Sequence, residues 1–400
     1  MLSGMLPDSN NLGPEKKRVV VVAGEASGDL HAARMISAMR ALDPQILFSG
    51  MGGQEMRKAG VDICVDNEKL AVVGLIEVLG QLREIRQAFK TIERHLASVR
   101  PDLLVLVDYV EFNLRLAKRA KRLGIKVLFY VSPQVWAWRQ GRVKSIGRVV
   151  DAMAVLFPFE VDFYRAHGIP VRYVGNPLVD EVQVSQTPAD LRKAFGLKEG
   201  SPVVGLLPGS RKGELARHMP VVGQTVAYLA ARHPEIEFIL ALAPGIDRVT
   251  QVDPFLPPQV RVTQIADQPY HVMHVSNALM IASGTATLEA GLLAVPMAIF
   301  YRVSAISYWI MKRFIRIPNI GLANIVAGKR VVQEFIQHQA TAPAIGKEIE
   351  ALIFDPDYQQ RVRQELSVIK TNLGHGGGSD NVARMALELL RHGRLIDDPR

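Results

Sequence analysis

The sequence predicts an α/β protein with two similar domains, each a Rossmann-like layering of helices around a parallel sheet. Three observations carry that expectation. Short, near-continuous runs of β-branched and aliphatic residues alternate with longer helical patterns, as strands covered on both faces require. The second half echoes the first: VVVVAGEASGD, a helix and DPQILFSG stand against VVGLLPGSRKGE, a helix and HPEIEFILAL. The length of 400 residues, 48% of them apolar and 22% charged, suits domains of roughly 150 residues with their own cores.

Taken in order, Met1–Lys17 is polar and lacks an apolar h-region, so residues 1–17 read as a disordered leader and not a signal peptide. The first domain is expected over residues 18–178. Arg18–Ala23 (RVVVVA) is its first strand, followed by the turn GEASGD and a helix from Leu30 to Leu42. Ile46–Ser49, Leu103–Val107, Val127–Val131 and Met153–Phe157 are further buried strands. Gly175–Asp190 carries the turn residues of an interdomain linker. The second domain, residues 179–355, opens with a strand from Pro202 and includes another at Ala278–Ile281. Helical patterns from Ala344 to Thr371 and from Asn381 to His392 close the chain, joined by the hinge-like Gly374–Ser379 (GHGGGS). Residues 356–400 are expected as C-terminal helices that cross back or swap in a dimer. Two such domains facing across a cleft would offer the carboxyl ends of both sheets to one ligand.

Composition narrows the function. Lys and Arg number 48 against 39 Asp and Glu, a net +9, which favours anionic partners. No helix-turn-helix, zinc finger or RNP-type strand is evident, so no specific nucleic acid partner is expected. The lone Cys64 cannot form an intrachain disulfide, and a cytoplasmic location is the default. Leu292–Met311 is the nearest approach to a membrane span, but Pro296 and Arg302 make it a strand followed by a helix. His and Cys show no metal-ligand spacing, so neither a metal nor a cofactor is expected. His375–Gly378 imitates an esterase HGGG, but the chain has no G-x-S-x-G elbow and is not read as a serine hydrolase.

Five stretches could carry chemistry. In Leu207–Glu214 (LPGSRKGE), Gly209 permits a tight turn, Ser210 and the following helix start offer N–H groups to an anion, and Arg211 adds a bidentate phosphate donor. A plain helix cap with a solvated Arg is the alternative. In Ala282–Glu289 (ASGTATLE), Ser283, Gly284 and Thr285 make a second phosphate-sized nest, with Glu289 placed to accept from ribose hydroxyls or to be a surface acid. Together the two nests describe a pocket for a nucleotide diphosphate. Gly24–Asp29 (GEASGD) is acidic through Glu25 and Asp29, suited to sugar hydroxyls, with His31 beyond it. Asp108, at the end of Leu103–Val107, is placed to take a proton from a hydroxyl or to cap the next helix, and Glu111 complements that helix's dipole. Tyr130–Arg139 (YVSPQVWAWR) holds two of the three tryptophans, which line a pocket or pack an interface.

Two stretches suit a lipid surface or ordinary core packing. Leu70–Leu79 (LAVVGLIEVL) presents Leu70, Val72, Val73, Leu75, Ile76 and Leu79, followed by Arg83, Arg86, Lys90 and Arg94. Tyr301–Ile320 mixes Trp309 and other aromatics with Arg302, Lys312, Arg313 and Arg316. Apolar side chains beside cations are what docking on an anionic membrane surface requires. Arg115, Lys118, Arg119, Lys121 and Arg122 form a solvated basic face.

GEASGD, LAVVGLIEVLG, VSPQVWAWR, LLPGSR, SGTATLE and the segment ending PNIGLANIVAGKR, in this order from Arg18 to Gln339, resemble the lipid-A-disaccharide synthase family. The resemblance implies an inverting GT-B glycosyltransferase that moves 2,3-diacylglucosamine from UDP to the 6-hydroxyl of 2,3-diacylglucosamine 1-phosphate (lipid X), acting at the cytoplasmic face of the inner membrane of Gram-negative bacteria. It also implies a homodimer formed by exchange of C-terminal segments. By the same resemblance Asp108 is the general base, Arg211 and Asn324 serve activity and UDP binding, Glu289 meets the ribose, and Ser27 and Gly28 lie in the first-domain loop. The chain departs from the family's D-x-P-D-F-N: Val110 and Glu111 replace the Pro and the second Asp. Two other readings stand beside it. One is a different UDP-sugar enzyme of the same architecture, a transferase or an epimerase, separable by comparing acylated with unacylated donor. The other is a nucleotide-sugar or lipid-binding module, which would have no use for Asp108.

Overall fold

The computed structural model describes residues 16–68, 78–137, 140–304, 308–309 and 318–396, without the side chains of 78–82. The chain forms two compact units. The first takes residues through Trp136, Gln140–Gly175 and everything from Gly377 on, and the second is in essence Asn176–Gly376.

The first unit is built on seven parallel strands: β1 (Arg18–Ala23), β2 (Leu47–Gly52), β3 (Asp62–Asp66), β4 (Leu103–Val107), β5 (Lys126–Tyr130), β6 (Ala152–Val155) and β7 (Val171–Tyr173). They lie in the order β3-β2-β1-β4-β5-β6-β7. After exposed Arg18 the run VVVVA is apolar because both faces of β1 are covered. Val19 and Val21 pack with Ala32, Met35 and Ile36 of the helix Ala26–Leu42. Val20 and Val22 turn to the other face, with Ile92, Leu96, Phe112 and Leu116. The helix Gly378–His392 completes the first of these cores through Val382, Met385, Ala386 and Leu389. It is tied there by Arg172 to Glu388 (2.8 Å) and by the Asn381 amide donating to the Val174 carbonyl (3.0 Å).

The second unit has six parallel strands: β8 (Val203–Leu207), β9 (Glu237–Leu242), β10 (Val262–Ala266), β11 (Ala278–Ala282), β12 (Met297–Tyr301) and β13 (Glu334–Ile336), in the order β10-β9-β8-β11-β12-β13.

The elements depart from the sequence expectation where local chemistry intervenes. The GEASGD turn is itself the opening of the first helix, which starts at Ala26, not Leu30. β2 extends to Gly52, where Ile46–Ser49 was expected. β5 ends at Tyr130 because Val131 turns into the left-handed region (φ 64°). β6 stops at Val155, short of Phe157, which precedes the helix Pro158–Arg165. Ala344–Thr371 is two helices, Ala342–Phe354 and Pro356–Leu373: Pro356 has no N–H to continue the first, and the Asp355 carboxylate caps the second by accepting from Tyr358 N (2.9 Å). The C-terminal helices are shared out, Pro356–Leu373 in the second unit and Gly378–His392 in the first. Gly175–Asp190 contains a short helix, Leu178–Glu181, and the start of another, Pro188–Ala194.

Both sheets are doubly wound, and each has a switch point where strand order reverses: between β1 and β4 in the first, between β8 and β11 in the second. Loops diverge there, leaving room for a ligand at the carboxyl ends of the strands.

Candidate active site

At the first switch point Ala23 is level with Val107, so the loop at Gly24 and Glu25 leaves beside the loop at Asp108 and Tyr109. Asp108 (φ 48°) and Tyr109 (φ 41°) are consecutive non-glycine residues in the left-handed region, a conformation costing about 1–3 kcal/mol for each. Hydrogen bonds impose it. Asp108 N donates to the Tyr130 carbonyl (3.0 Å), and the buried Asn113 amide donates to the carbonyls of Val107 (3.2 Å) and Asp108 (2.8 Å). The Tyr109 ring occupies the space beside Gly24, where a Cβ would come within 2.2 Å of ring Cδ1.

The Asp108 carboxylate lies on a cavity of ≈ 740 Å³ whose apolar wall includes Ile85, Phe89, Val110 and Phe112 and whose cations include Arg86, Lys90 and Arg115. Burial, reinforced by the Glu25 carboxylate, raises its proton affinity above the ordinary range. A half-buried carboxylate beside a roomy, largely apolar cavity can accept a proton from a hydroxyl brought against it. Glu111, where the family pattern has Asp, lies on the exposed face and pairs with Arg142.

The neighbouring GEASGD stretch divides. Ser27 is exposed on the first helical turn, while Gly28 is buried against Ala23 and Val107. Asp29 does not fit the expected role with sugar hydroxyls. It is buried, and its carboxylate accepts from the backbone N–H groups of Gly53 (2.7 Å), Glu55 (2.9 Å) and Met56 (3.3 Å), capping the helix Gln54–Lys58. His31 packs edge-on to Tyr130.

In the YVSPQVWAWR stretch the described tryptophan, Trp136, is buried and donates Nε1–H to Glu160 (3.0 Å). Ser132 and the Phe157 N–H also donate to Glu160, and the Tyr164 hydroxyl donates to the Pro133 carbonyl (2.8 Å). Burial outweighs these donors and pushes the Glu160 carboxyl up to about 7. Sequence reasoning missed Glu160. Its signal was a Glu two residues after a Pro that opens a helix, the position of a capping box.

At the second switch point Ile281 is level with Leu207, so the loops after β8 and β11 leave side by side. Gly209 has φ 115° and packs against Glu214, 2.9 Å from where a Cβ would stand. Ser210 is exposed, and Arg211 precedes the helix Lys212–Arg232 with its side chain 83% exposed and paired with Glu214 (3.3 Å). The loop is braced from below by buried His218. Its Nδ1 bonds the Pro208 carbonyl (2.7 Å) and its Nε2 accepts from Arg302 N (3.1 Å), and burial lowers the ring's proton affinity. In the second loop Gly284 and Thr285 are exposed at the start of the helix Thr285–Leu292. The Thr287 hydroxyl bonds back to the Gly284 carbonyl (2.8 Å). Glu289 is half-buried, its proton affinity raised by burial, with the Tyr270 hydroxyl at 3.4 Å. Helix N-termini and a largely exposed guanidinium at one switch point can hold a diphosphate.

Asn324 is not at the surface of this site. It has no solvent exposure, and all four of its hydrogen-bonding positions are used inside the protein. Nδ2 donates to Val332 O (2.9 Å) and Glu334 Oε1 (2.8 Å), and Oδ1 accepts from Val331 N (2.8 Å) and Val332 N (3.0 Å). It therefore has nothing left to offer UDP directly.

Of the residues read as lipid-facing, Leu70, Val72, Val73, Leu75, Ile76 and Arg313 lie outside the described residues, as does the side chain of Leu79. Trp309 is 69% exposed. Among the described residues no helix is long and apolar enough to cross a membrane, and no group of three or more His, Cys, Asp or Glu could hold a metal ion.

Comparison with known proteins decides the family. The family model described as lipid-A-disaccharide synthetase matches residues 19–385. The chain belongs to this family. The lipid-A-disaccharide synthase of Geobacter sulfurreducens is 48% identical over 374 residues, covering 93% of this chain and 97% of that protein. The lipid-A-disaccharide synthase of Coxiella burnetii is 41% identical, covering 94% and 99%. In fold the chain is similar to the UDP-GlcNAc 2-epimerase from Neisseria meningitidis bound to UDP-GlcNAc (TM-score 0.63, 14% identity, 93% of this chain and 100% of that one). It is similar as well to CalG4, the calicheamicin glycosyltransferase (TM-score 0.58, 15% identity, 94% and 99%). The two parallel-sheet α/β units are those of GT-B glycosyltransferases and UDP-GlcNAc 2-epimerases, and membership of the family makes the chain a glycosyltransferase of lipid A synthesis.

Proposed function

We propose that the chain transfers 2,3-diacylglucosamine from UDP-2,3-diacylglucosamine to the 6-hydroxyl of lipid X, giving the β-1′,6-linked disaccharide 1-phosphate and UDP. The observation that carries this reading is the family match over residues 19–385. The Asp108 cavity and the paired nests support the division of labour within it. The acceptor oxygen attacks the anomeric carbon as Asp108 takes its proton. The bond from that carbon to the diphosphate oxygen breaks, and UDP leaves with the electron pair. Arg211 and the N-termini of Lys212–Arg232 and Thr285–Leu292 stabilise the departing charge. Gly209, Ser210, Ser283, Gly284 and Thr285 shape the backbone around the diphosphate, and Glu289 takes the ribose hydroxyls. Ser27 and Gly28 border the acceptor.

Each buried acyl methylene contributes about 0.8 kcal/mol, so the apolar wall of the Asp108 cavity suits the acyl chains of the acceptor. Exposed Trp309, with the apolar residues of Leu70–Leu79 and Arg313, would rest on an anionic membrane surface. We assign that surface to the cytoplasmic face of the inner membrane and the working form to a homodimer.

The test is a mass-spectrometric assay with UDP-2,3-diacylglucosamine and lipid X. The expected result is the tetraacyl disaccharide 1-phosphate with one UDP released per product. Equal use of unacylated UDP-GlcNAc, or epimerised donor without disaccharide, overturns the reading.

A further inference from the structure

The mechanism above leaves three of the described buried acids unused: Asp29, Glu160 and Glu334. Glu334, at the start of β13, is 7% exposed, and it is ion-paired with none of the described residues. A carboxylate is costly to bury unless hydrogen bonds replace its hydration. Here three replace it: Ile320 N donates to Oε2 (2.8 Å), and Gly321 N (3.0 Å) and Asn324 Nδ2 (2.8 Å) donate to Oε1. Two of the three donors belong to the loop 318–321, which Arg330 also holds through Asn319 Oδ1 (3.2 Å) and the Pro318 carbonyl (3.2 Å). Gly321 leaves no room for a side chain: a Cβ there would fall 2.4 Å from Ile299 Cδ1 and 3.2 Å from the Glu334 carboxylate. The loop in turn reaches the nest, because the Ile320 carbonyl accepts from the Ser283 hydroxyl (3.0 Å).

We infer that Glu334 is a positioning residue for the sugar-nucleotide donor: oriented by Asn324, it sets the loop 318–321 and through Ile320 fixes Ser283 at the mouth of the second nest. The inference rests on the reading of Ser283–Glu289 as part of the donor site. It gives Asn324 a function that its saturated, buried amide permits, since Asn324 acts through Glu334 and not on the ligand. Asn is suited to that task because it donates to the carboxylate while accepting from two backbone N–H groups, which no charged residue does.

The experiment compares Glu334→Gln, Asn324→Asp and the double variant by thermal melting and by KM for UDP-2,3-diacylglucosamine. Glu334→Gln presents an NH₂ group to the loop's N–H donors, and the expected outcome is a donor KM raised about tenfold with kcat changed far less. Asn324→Asp sets two carboxylates together and lowers both melting temperature and donor affinity. In the double variant the new amide at position 334 donates to the new carboxylate at position 324, so the pair re-forms with its polarity reversed. Melting recovers towards the parent, whereas donor KM stays raised, because the loop has still lost an acceptor. A purely structural role predicts instead that KM recovers along with melting, and that result overturns the inference, as does a Glu334→Gln protein with reduced melting temperature and unchanged donor KM. Should Glu334→Gln fail to fold, Glu334→Asp, which keeps the charge but draws it back from the loop, is read by the same two measurements. Glu289→Gln serves as the control on the underlying reading: unchanged donor KM there removes the donor site itself, whereas raised KM there with unchanged KM in Glu334→Gln removes the inference alone.

Discussion

The loops after β4 and after β8 occupy equivalent places, each at the switch point of its sheet, yet they treat charge in opposite ways. The first bends through two non-glycine residues in the left-handed region, clamped by Asn113, and draws a carboxylate out of water. The second bends at Gly209 and leaves Arg211 extended in solvent. Withdrawal raises the proton affinity of Asp108, which a base needs; exposure keeps Arg211 hydrated until a polyanion replaces the water. One topology thus delivers two electrostatic outcomes, and the difference resides in a few backbone angles and what holds them.

Four measurements break or sharpen this contrast. Asp108→Asn keeps shape and removes the proton acceptor; kcat should fall about 10²–10⁴-fold, and initial rates near the parent's would leave the first loop without its chemistry. Arg211→Ala should lower kcat/KM for the donor by about 10²-fold, while Arg211→Lys recovers only part because the planar fork is lost. Asn113→Ala frees the carbonyls of Val107 and Asp108, and denaturant titration should register a loss of about 1–3 kcal/mol. UDP binding should be unaffected, since the second loop has its own brace in His218.

The smallest effect is in pH. The raised Glu160 carboxyl makes a contribution to stability that is fully present below its ordinary value of 4.5 and is lost as pH rises through about 7. Trp136, bonded to it, should report that loss as a change in tryptophan emission with a midpoint near 7. A titration that persists in Glu160→Gln would assign the change to another group.

Much of the scaffold was legible because central strands are covered on both faces: RVVVVA and LLVLV leave no alternative to burial. Edge strands were harder. DICVD of β3 and VTQIA of β10 are half polar, since one side of an edge meets solvent, and β13 is only three residues long, so none stood out as a strand. The nests at Gly209–Arg211 and Ser283–Thr285 were legible from small residues between a strand and a helix, a local signal. Asp29, Glu160 and Glu334 were not. Each is a lone acid whose meaning depends on donors brought to it from elsewhere, up to 27 residues away for Asp29 and 28 for Glu160; only Glu160 has a local cue, its place after Pro158. Asn324 was drawn towards the ligand by resemblance; only its saturated geometry moves it inward.

The helix Gly378–His392 fills a core that begins with Val19. Synthesis proceeds from the amino end, so this unit stays unfinished until the residues after Gly377 have left the ribosome. During that interval the face of β1 carrying Val19 and Val21 lacks part of its cover and is a natural client for chaperones. A chain cut short at Gly374 would keep every residue assigned to chemistry and still lack the means to assemble the half that holds Asp108.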